Sequence, residues 1–200
     1  MKRVLCVWLP EFPIQRLHVE QPKLKAIPTV LYQESGNRAQ VVLSSPAAKC
    51  YGIRPGMPLA EAQALRESAA FLSNAPEADL LELQALACLC QRYSPIVGIE
   101  TVCDTHCLLL DIAGCTHLFG GESGLSRLLV IDLAERGYFA HVATANTIGA
   151  AWAIARFGHR TGSDRRLRSL PVEALRISDK LVSQLREFDL RTIGQLQALP

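Results

Sequence analysis

No apolar run in this chain of 200 residues approaches the ~18 residues needed to cross a bilayer. The N-terminal "MKRVLCVWLPEFP" is broken at Pro10 before the apolar region of a secretory leader could form. A membrane span and a leader are therefore not expected, which places the chain in the cytoplasm. Charge of one sign is also scarce. The formal net charge is +2, too small to announce a nucleic-acid partner by itself. The excess that exists lies in residues 161–200, with 7 Lys and Arg against 5 Asp and Glu. A disulfide framework is missing too: the seven cysteines, an odd number, stand at strand-like and helix-like positions, which suits reduced thiols.

What is present is apolar sequence, 49% of residues, enough to bury the core of one domain or two small ones. "RVLCVWL" (3–9), stopped by Pro10, reads as a buried strand. "IPTVLYQ" and "AQVVLSS" flank the turn-rich "ESGNR" and predict a hairpin over 27–45. A short helix follows "IRPG", with Pro58 near its start. Leucine and alanine at helical spacing predict a helix over 75–92. A second hairpin, "PIVGIETVC" with "CLLLDI", turns at "DTH". A helix over 122–136 is closed by Gly137, then come a strand in "FAHVATA" and a helix in "TIGAAWAIARF". With 13–72 set aside, the order is strand, helix, strand, strand, helix, strand. This is the split βαβ pattern of ferredoxin-like domains carrying an insertion of roughly 60 residues after the first strand. In that topology the first and third strands are neighbours, so Trp8 meets the start of 107–112.

The last segment, "SDKLVSQLREFDLRTIGQLQALP", predicts two short helices joined by a tight turn containing Gly194. It resembles a helix-hairpin-helix, whose turn amides hold a DNA phosphate, which makes Arg191, Thr192 and Gly194 candidate contacts. The helix pair runs up to Pro200, as expected of part of a longer protein. Upstream, "RFGHRTGSDRRLR" (156–168) offers Arg165, Arg166 and Arg168 as phosphate-facing candidates, with a solvated linker as the alternative. "QLREF" (184–188) superficially echoes a clamp-binding peptide, but Glu187 stands where an apolar residue is wanted. Leu185 and Phe188 are expected to pack in the core.

The stretch "CDTHCLLLDIAGC" (103–115) carries the most chemistry. Cys103, His106 and Cys107 cluster at the hairpin, with Cys6 as a possible neighbour, and Cys115 and His117 lie beyond the next strand. These are soft ligands of the kind zinc takes, but the spacing fits no common zinc motif. The two groups are separated by a five-residue strand, ~16 Å at ~3.3 Å per residue.

"VWLPEF", "AAKCYGIRPGMPLAEA", "YSPIVGIE", "LLLDIAGCTHLFGGE", "ATANTIGAA", "LPVEALRIS" and "LRTIGQLQALP" together resemble the N-terminal half of a Y-family (UmuC/DinB-like), lesion-bypass DNA polymerase. The "GCTHLFGGE" run is similar to the ImuB-like, non-catalytic branch. The resemblance implies an α+β fold: a ferredoxin-like βαββαβ palm at 1–12 and 70–160, a small α/β fingers insertion at 13–69, and the start of a helical thumb with a helix-hairpin-helix at 161–200. Active members hold two Mg²⁺ ions with an Asp ending the first palm strand and an Asp-Glu pair opening the third. Carried over, those places hold Trp8, His106 and Cys107, none of them a hard oxygen ligand. Asp104 and Asp111 lie nearby, and Asp111 matches the family's Leu-Asp pair at the far end of the strand.

The nucleotide pocket departs from the active pattern as well. Pro46 and Lys49 stand where a Tyr and an Arg grip the triphosphate, Pro13 where an aromatic blocks ribonucleotides, and Thr147 where a basic residue follows the Asn of "AN". The resemblance therefore implies an accessory or scaffold protein of translesion synthesis and damage-induced mutagenesis, without catalysis, metal or cofactor. Its implied partners are DNA, bound weakly and without sequence preference, the sliding clamp, a RecA-like ImuA companion and an error-prone C-family DNA polymerase. Two alternatives stay open: an active error-prone polymerase using displaced carboxylates such as Asp104 and Asp111, and a zinc-dependent interaction module.

Overall fold

The computed structural model describes residues 3–36, 38–100, 106–158 and 167–199. In chain order the strands and helices are β1 (Val4–Trp8), α1 (Phe12–Glu20), β2 (Thr29–Ser35), β3 (Arg38–Ser44), α2 (Pro46–Cys50), α3 (Leu59–Leu65), β4 (Ala70–Ser73), α4 (Pro76–Cys90), β5 (Val97–Glu100), β6 (Cys107–Asp111), α5 (Glu122–Glu135), β7 (His141–Ala145), α6 (Ile148–Phe157), α7 (Asp179–Glu187) and α8 (Ile193–Gln197), with short 3-10 turns between them. They form two compact units, one of Met1–Leu9, Leu86–Asp132 and Ala140–Pro200, the other of Pro10–Ala85 and Leu133–Phe139. Among the described residues no helix is long and apolar enough to cross a membrane.

The first unit is built on a four-stranded sheet in the order β5-β6-β1-β7. Every neighbouring pair is antiparallel, and β1 is central. This is the arrangement that the strand and helix order of the sequence predicts. Side chains alternate across the pleat, so the two faces differ in character. Leu5, Val7, Leu108 and Leu110 point to one face and are fully buried. At its rim Arg3 clasps Glu122 of α5 through two hydrogen bonds of 2.6 and 2.7 Å, and the Thr144 hydroxyl of β7 donates to the same carboxylate. Cys6 and Cys107 point to the other face. There they pack with Trp152 and the small residues Ala151 and Ala155 of α6, and with Leu170, Ala174 and Ile193 from the chain's last segment.

That last segment corrects the reading of its turn. Gly194 lies inside α8, while 188–192 connects the two helices. A Cβ on Gly194 would sit 2.8 Å from the Arg168 carbonyl oxygen, so the glycine serves the close approach of α8 to residues 167–169. Phe188 is 76% exposed and only Val182 of α7 is buried, so Phe188 is not the core residue that helical packing predicts. Gly137 does close α5, with φ of 87°.

The second unit holds a three-stranded sheet, β3-β2-β4. β2 and β3 form the predicted hairpin, with a register shift between Leu31 and Tyr32. β4, a strand not expected from the sequence, pairs parallel to β2, so this sheet runs past residue 69 to Ser73. Also unforeseen are α2, capped by the Ser45 hydroxyl, and α1, which starts at Phe12-Pro13 and buries Phe12, Ile14 and Leu17. α1 carries Arg16, buried and ion-paired with the equally buried Asp79 of α4 at 2.6 Å.

Candidate functional site

Strand register assembles the site. Glu100 of β5 is directly opposite Cys107 of β6, Cys107 is opposite Trp8 of β1, and Trp8 is opposite His141 of β7. Directly opposed residues share a face, so Glu100, Cys107, Trp8 and His141 form one transverse row across the sheet. The topology predicted from the sequence brings Trp8 to Cys107. Glu100 and His141 join the row through β5 and β7, which approach from opposite sides in registers that sequence spacing does not reveal.

Chemically, the row is an aromatic and thiol cluster. The rings of Trp8 and His141 stack with centroids 5.5 Å apart and planes 17° from parallel. The Arg156 guanidinium of α6 lies 5.8 Å from the Trp8 ring centre, 5.3 Å from Trp152 and 5.6 Å from Phe157, all within cation–π range. Cys107 is fully buried, as is Cys6 one row behind it. Hydrogen bonding with Cys107, reinforced by burial, pushes the Cys6 thiol well above the ordinary thiol range. At the edge of the row Glu100 is engaged by Arg176, whose Nη1 donates to Oε2 at 2.9 Å. His106 lies just ahead of β6, half-buried, and its carbonyl accepts from the amide of Leu9.

This donor set suits Mg²⁺ poorly. The ion requires several hard oxygens near octahedral geometry, and the row offers one carboxylate that an arginine already neutralises. Asp111 is four residues along β6 from Cys107, ~13 Å at ~3.3 Å per residue, and its Oδ1 accepts the amide of Ala113. Asp104, like Cys103 and Thr105 of the "DTH" turn, lies outside the described residues. Cys115 and His117 stand beyond the other end of β6. Among the described residues no three His, Cys, Asp or Glu side chains could hold a metal ion together.

The positions matched to nucleotide contacts have local structural roles. Pro13 is buried in the first turn of α1, where its missing N–H costs nothing. Pro46 is exposed at the first position of α2, and the exposed Lys49 ammonium pairs with Glu11. Thr147 caps α6, its hydroxyl accepting the amide of Ala150.

Of the residues proposed for DNA, Arg165 and Arg166 lie outside the described residues. Arg168, Arg191, Thr192 and Gly194 come together where α8 meets 167–172. The amides of Arg191 and Thr192 both donate to Gln195 Oε1, and that of Ile193 donates to the Leu170 carbonyl. The Arg191 guanidinium is exposed and pairs with the exposed Asp189 at 2.9 Å.

A four-stranded antiparallel sheet of this order, interrupted after its first strand by a smaller α/β unit, is the architecture of Y-family polymerases. The model of the impB/mucB/samB family matches residues 7–156, and the chain belongs to that family. It is 40% identical over 155 residues to Protein ImuB of Caulobacter vibrioides (strain NA1000 / CB15N), a match covering 74% of this chain and 33% of that protein. The chain thus spans about a third of the length of that relative. Among solved structures, DinB from Sulfolobus solfataricus aligns with a TM-score of 0.78 and 19% identity over 99% of this chain and 60% of that one. The insertion ternary complex of Dbh DNA polymerase aligns with a TM-score of 0.80 and 18% identity over 99% of this chain and 61% of that one. At these identities the likeness is one of fold.

Proposed function

We propose that the protein is a Y-family polymerase homologue that has left catalysis and acts as an accessory scaffold in translesion synthesis and damage-induced mutagenesis, in a cytoplasmic setting. The observation that carries this is the row Glu100–Cys107–Trp8–His141. The strand ends that would present metal-binding carboxylates present instead a stacked indole and a buried thiol, and the row's one carboxylate is held by Arg176. Phosphoryl transfer of this kind is largely positioning and charge neutralisation around two metal ions, and a row of indole, thiol and imidazole supplies neither. In this reading residues 1–12 with the chain from 74 to 160 are the palm, 13–73, closed by β4, the fingers, and 161–200 the opening of the thumb. Weak, salt-sensitive DNA binding would use the exposed arginines near α8 and residues 165–168. The sliding clamp, a RecA-like ImuA companion and an error-prone C-family polymerase are the partners it implies.

The test is primer extension by the full-length protein with Mg²⁺ or Mn²⁺ present. No extension above a buffer control is expected. Extension that disappears on Asp104→Ala or Asp111→Ala would overturn the reading in favour of displaced carboxylates.

A further inference from the structure

Arg176 is unusual on three counts. It adopts the left-handed backbone region, φ 58°, without being glycine, so the surrounding structure must hold it there. Its guanidinium carbon sits 4.3 Å above the centre of the Trp152 ring. Its Nη1 bonds Glu100, while Nε and Nη2 are buried with no hydrogen-bond partner among the described residues, lying over the indole face. Trp152 Nε1 is a third orphaned donor in the same place, on a residue that is 3% exposed. Native proteins rarely leave three buried donors together without acceptors, so the contact is retained at a desolvation cost.

Placement gives the contact a purpose. Arg176 ends the turn Val172–Leu175, whose Val172 and Ala174 are buried. Ala174, with Leu170 and Ile193, packs against Cys6, Cys107 and Trp152. Glu100 is the direct cross-strand neighbour of Cys107. Together these fasten the segment 170–176 over the sheet face at the Cys107 end of the row. Glu100 stands directly opposite the buried Cys107 and bonds Arg176, which places the ion pair beside that sulfur.

We propose that Arg176 is a latch: anchored on Glu100 and Trp152, it holds the chain's own following segment closed over the Cys107 end of the row and excludes solutes from it. What the closure means rests on the reading of the row as a vacated catalytic site. The closure itself can be tested separately from that reading.

The test is native-state alkylation by iodoacetamide of the full-length protein, with each cysteine followed by peptide mass. Cys50 and Cys88 are exposed and report reagent activity, and the buried Cys90 reports general unfolding. Arg176→Ala is expected to raise the Cys107 rate at least tenfold, with Cys6 following and Cys90 unchanged. Glu100→Gln, which removes the charge pair but keeps the shape, is expected to raise it several-fold and decides the matter if Arg176→Ala does not fold. Unchanged Cys107 labelling in the folded variants, or a rise shared equally by Cys90, would overturn the latch. Primer extension by wild-type protein would overturn the vacated-site reading and leave the alkylation result standing.

Discussion

The two faces of the four-stranded sheet are made by the same strands and differ in what they ask of the sequence. The face of Leu5, Val7, Leu108 and Leu110 is fully buried and aliphatic, and needs volume and apolarity with little else. The opposite face carries Glu100, Cys107, Trp8 and His141 in one row, with two arginines lying on aromatic rings above it. Each residue there depends on a particular partner: Trp8 on His141, Glu100 on Arg176, Cys107 on Cys6. The sheet is therefore specified by one face while the chemistry of the other can change. That separation lets the fold persist whatever the second face carries, here an indole and a thiol where the end of β1 meets the start of β6.

The sharpest way to break this comparison is to put a carboxylate back. Cys107→Glu places a larger, ionisable group in a fully buried position opposite Glu100. It is expected to cost more than ~4 kcal/mol at neutral pH in denaturant unfolding, since an unpaired buried charge and overpacking act together. Burial and the neighbouring carboxylate raise the folded-state pKa of the new group. The folded state then binds more protons than the unfolded one between the two pKa values, so the penalty grows as pH rises and eases as pH falls. Wild-type stability at neutral pH would mean that the row is an open site.

On the aliphatic face, Leu110→Ala is expected to cost ~2–5 kcal/mol by the loss of buried methyl groups and the cavity left behind. That cost should not change between pH 5 and pH 8, in contrast to Cys107→Glu. Urea titrations of both variants across that range check the contrast. A pH-dependent loss for Leu110→Ala would show that the two faces are electrostatically coupled.

The strand order is legible because short apolar runs, Pro10 and the helical spacing over 75–92 agree with one topology. The Trp8 and Cys107 pairing followed from that topology alone. Other features escaped for identifiable reasons. Pro10 and Pro13 disguise α1 as loop, although Phe12, Ile14 and Leu17 have helical spacing. β4 is four residues long, too short for alternation to register. Glu100, His141, Arg156 and Arg176 converge through cross-strand register and the placement of α6 and the last segment, which no local pattern encodes. Gly194 looked like a turn residue because turns are the commonest use of glycine, and here it is a contact residue instead.

The smallest expected effect concerns the rim of the aliphatic face. Glu122 is held below the usual carboxylate range, chiefly by its hydrogen bonds with Arg3, against burial that works the other way, and with a further contribution from the Thr144 hydroxyl. Between its folded and unfolded pKa values the unfolded chain binds the extra proton. The stability that Glu122 contributes is therefore complete above the unfolded value and is lost as pH falls through the folded one. Both side chains are about a third exposed, 33% and 36%, so solvent screening limits the pair to ~1 kcal/mol or less even with its two-pronged geometry. Glu122→Gln should thus be destabilised by no more than ~1 kcal/mol at pH 7. The deficit should vanish at a pH below the folded-state pKa of Glu122, where the wild-type carboxyl is protonated as well. Unfolding curves of the two proteins at both pH values check this. A deficit of equal size at each would assign the contact to shape and hydrogen bonding, and the rim would then obey the same pH-independent rule as the leucines behind it.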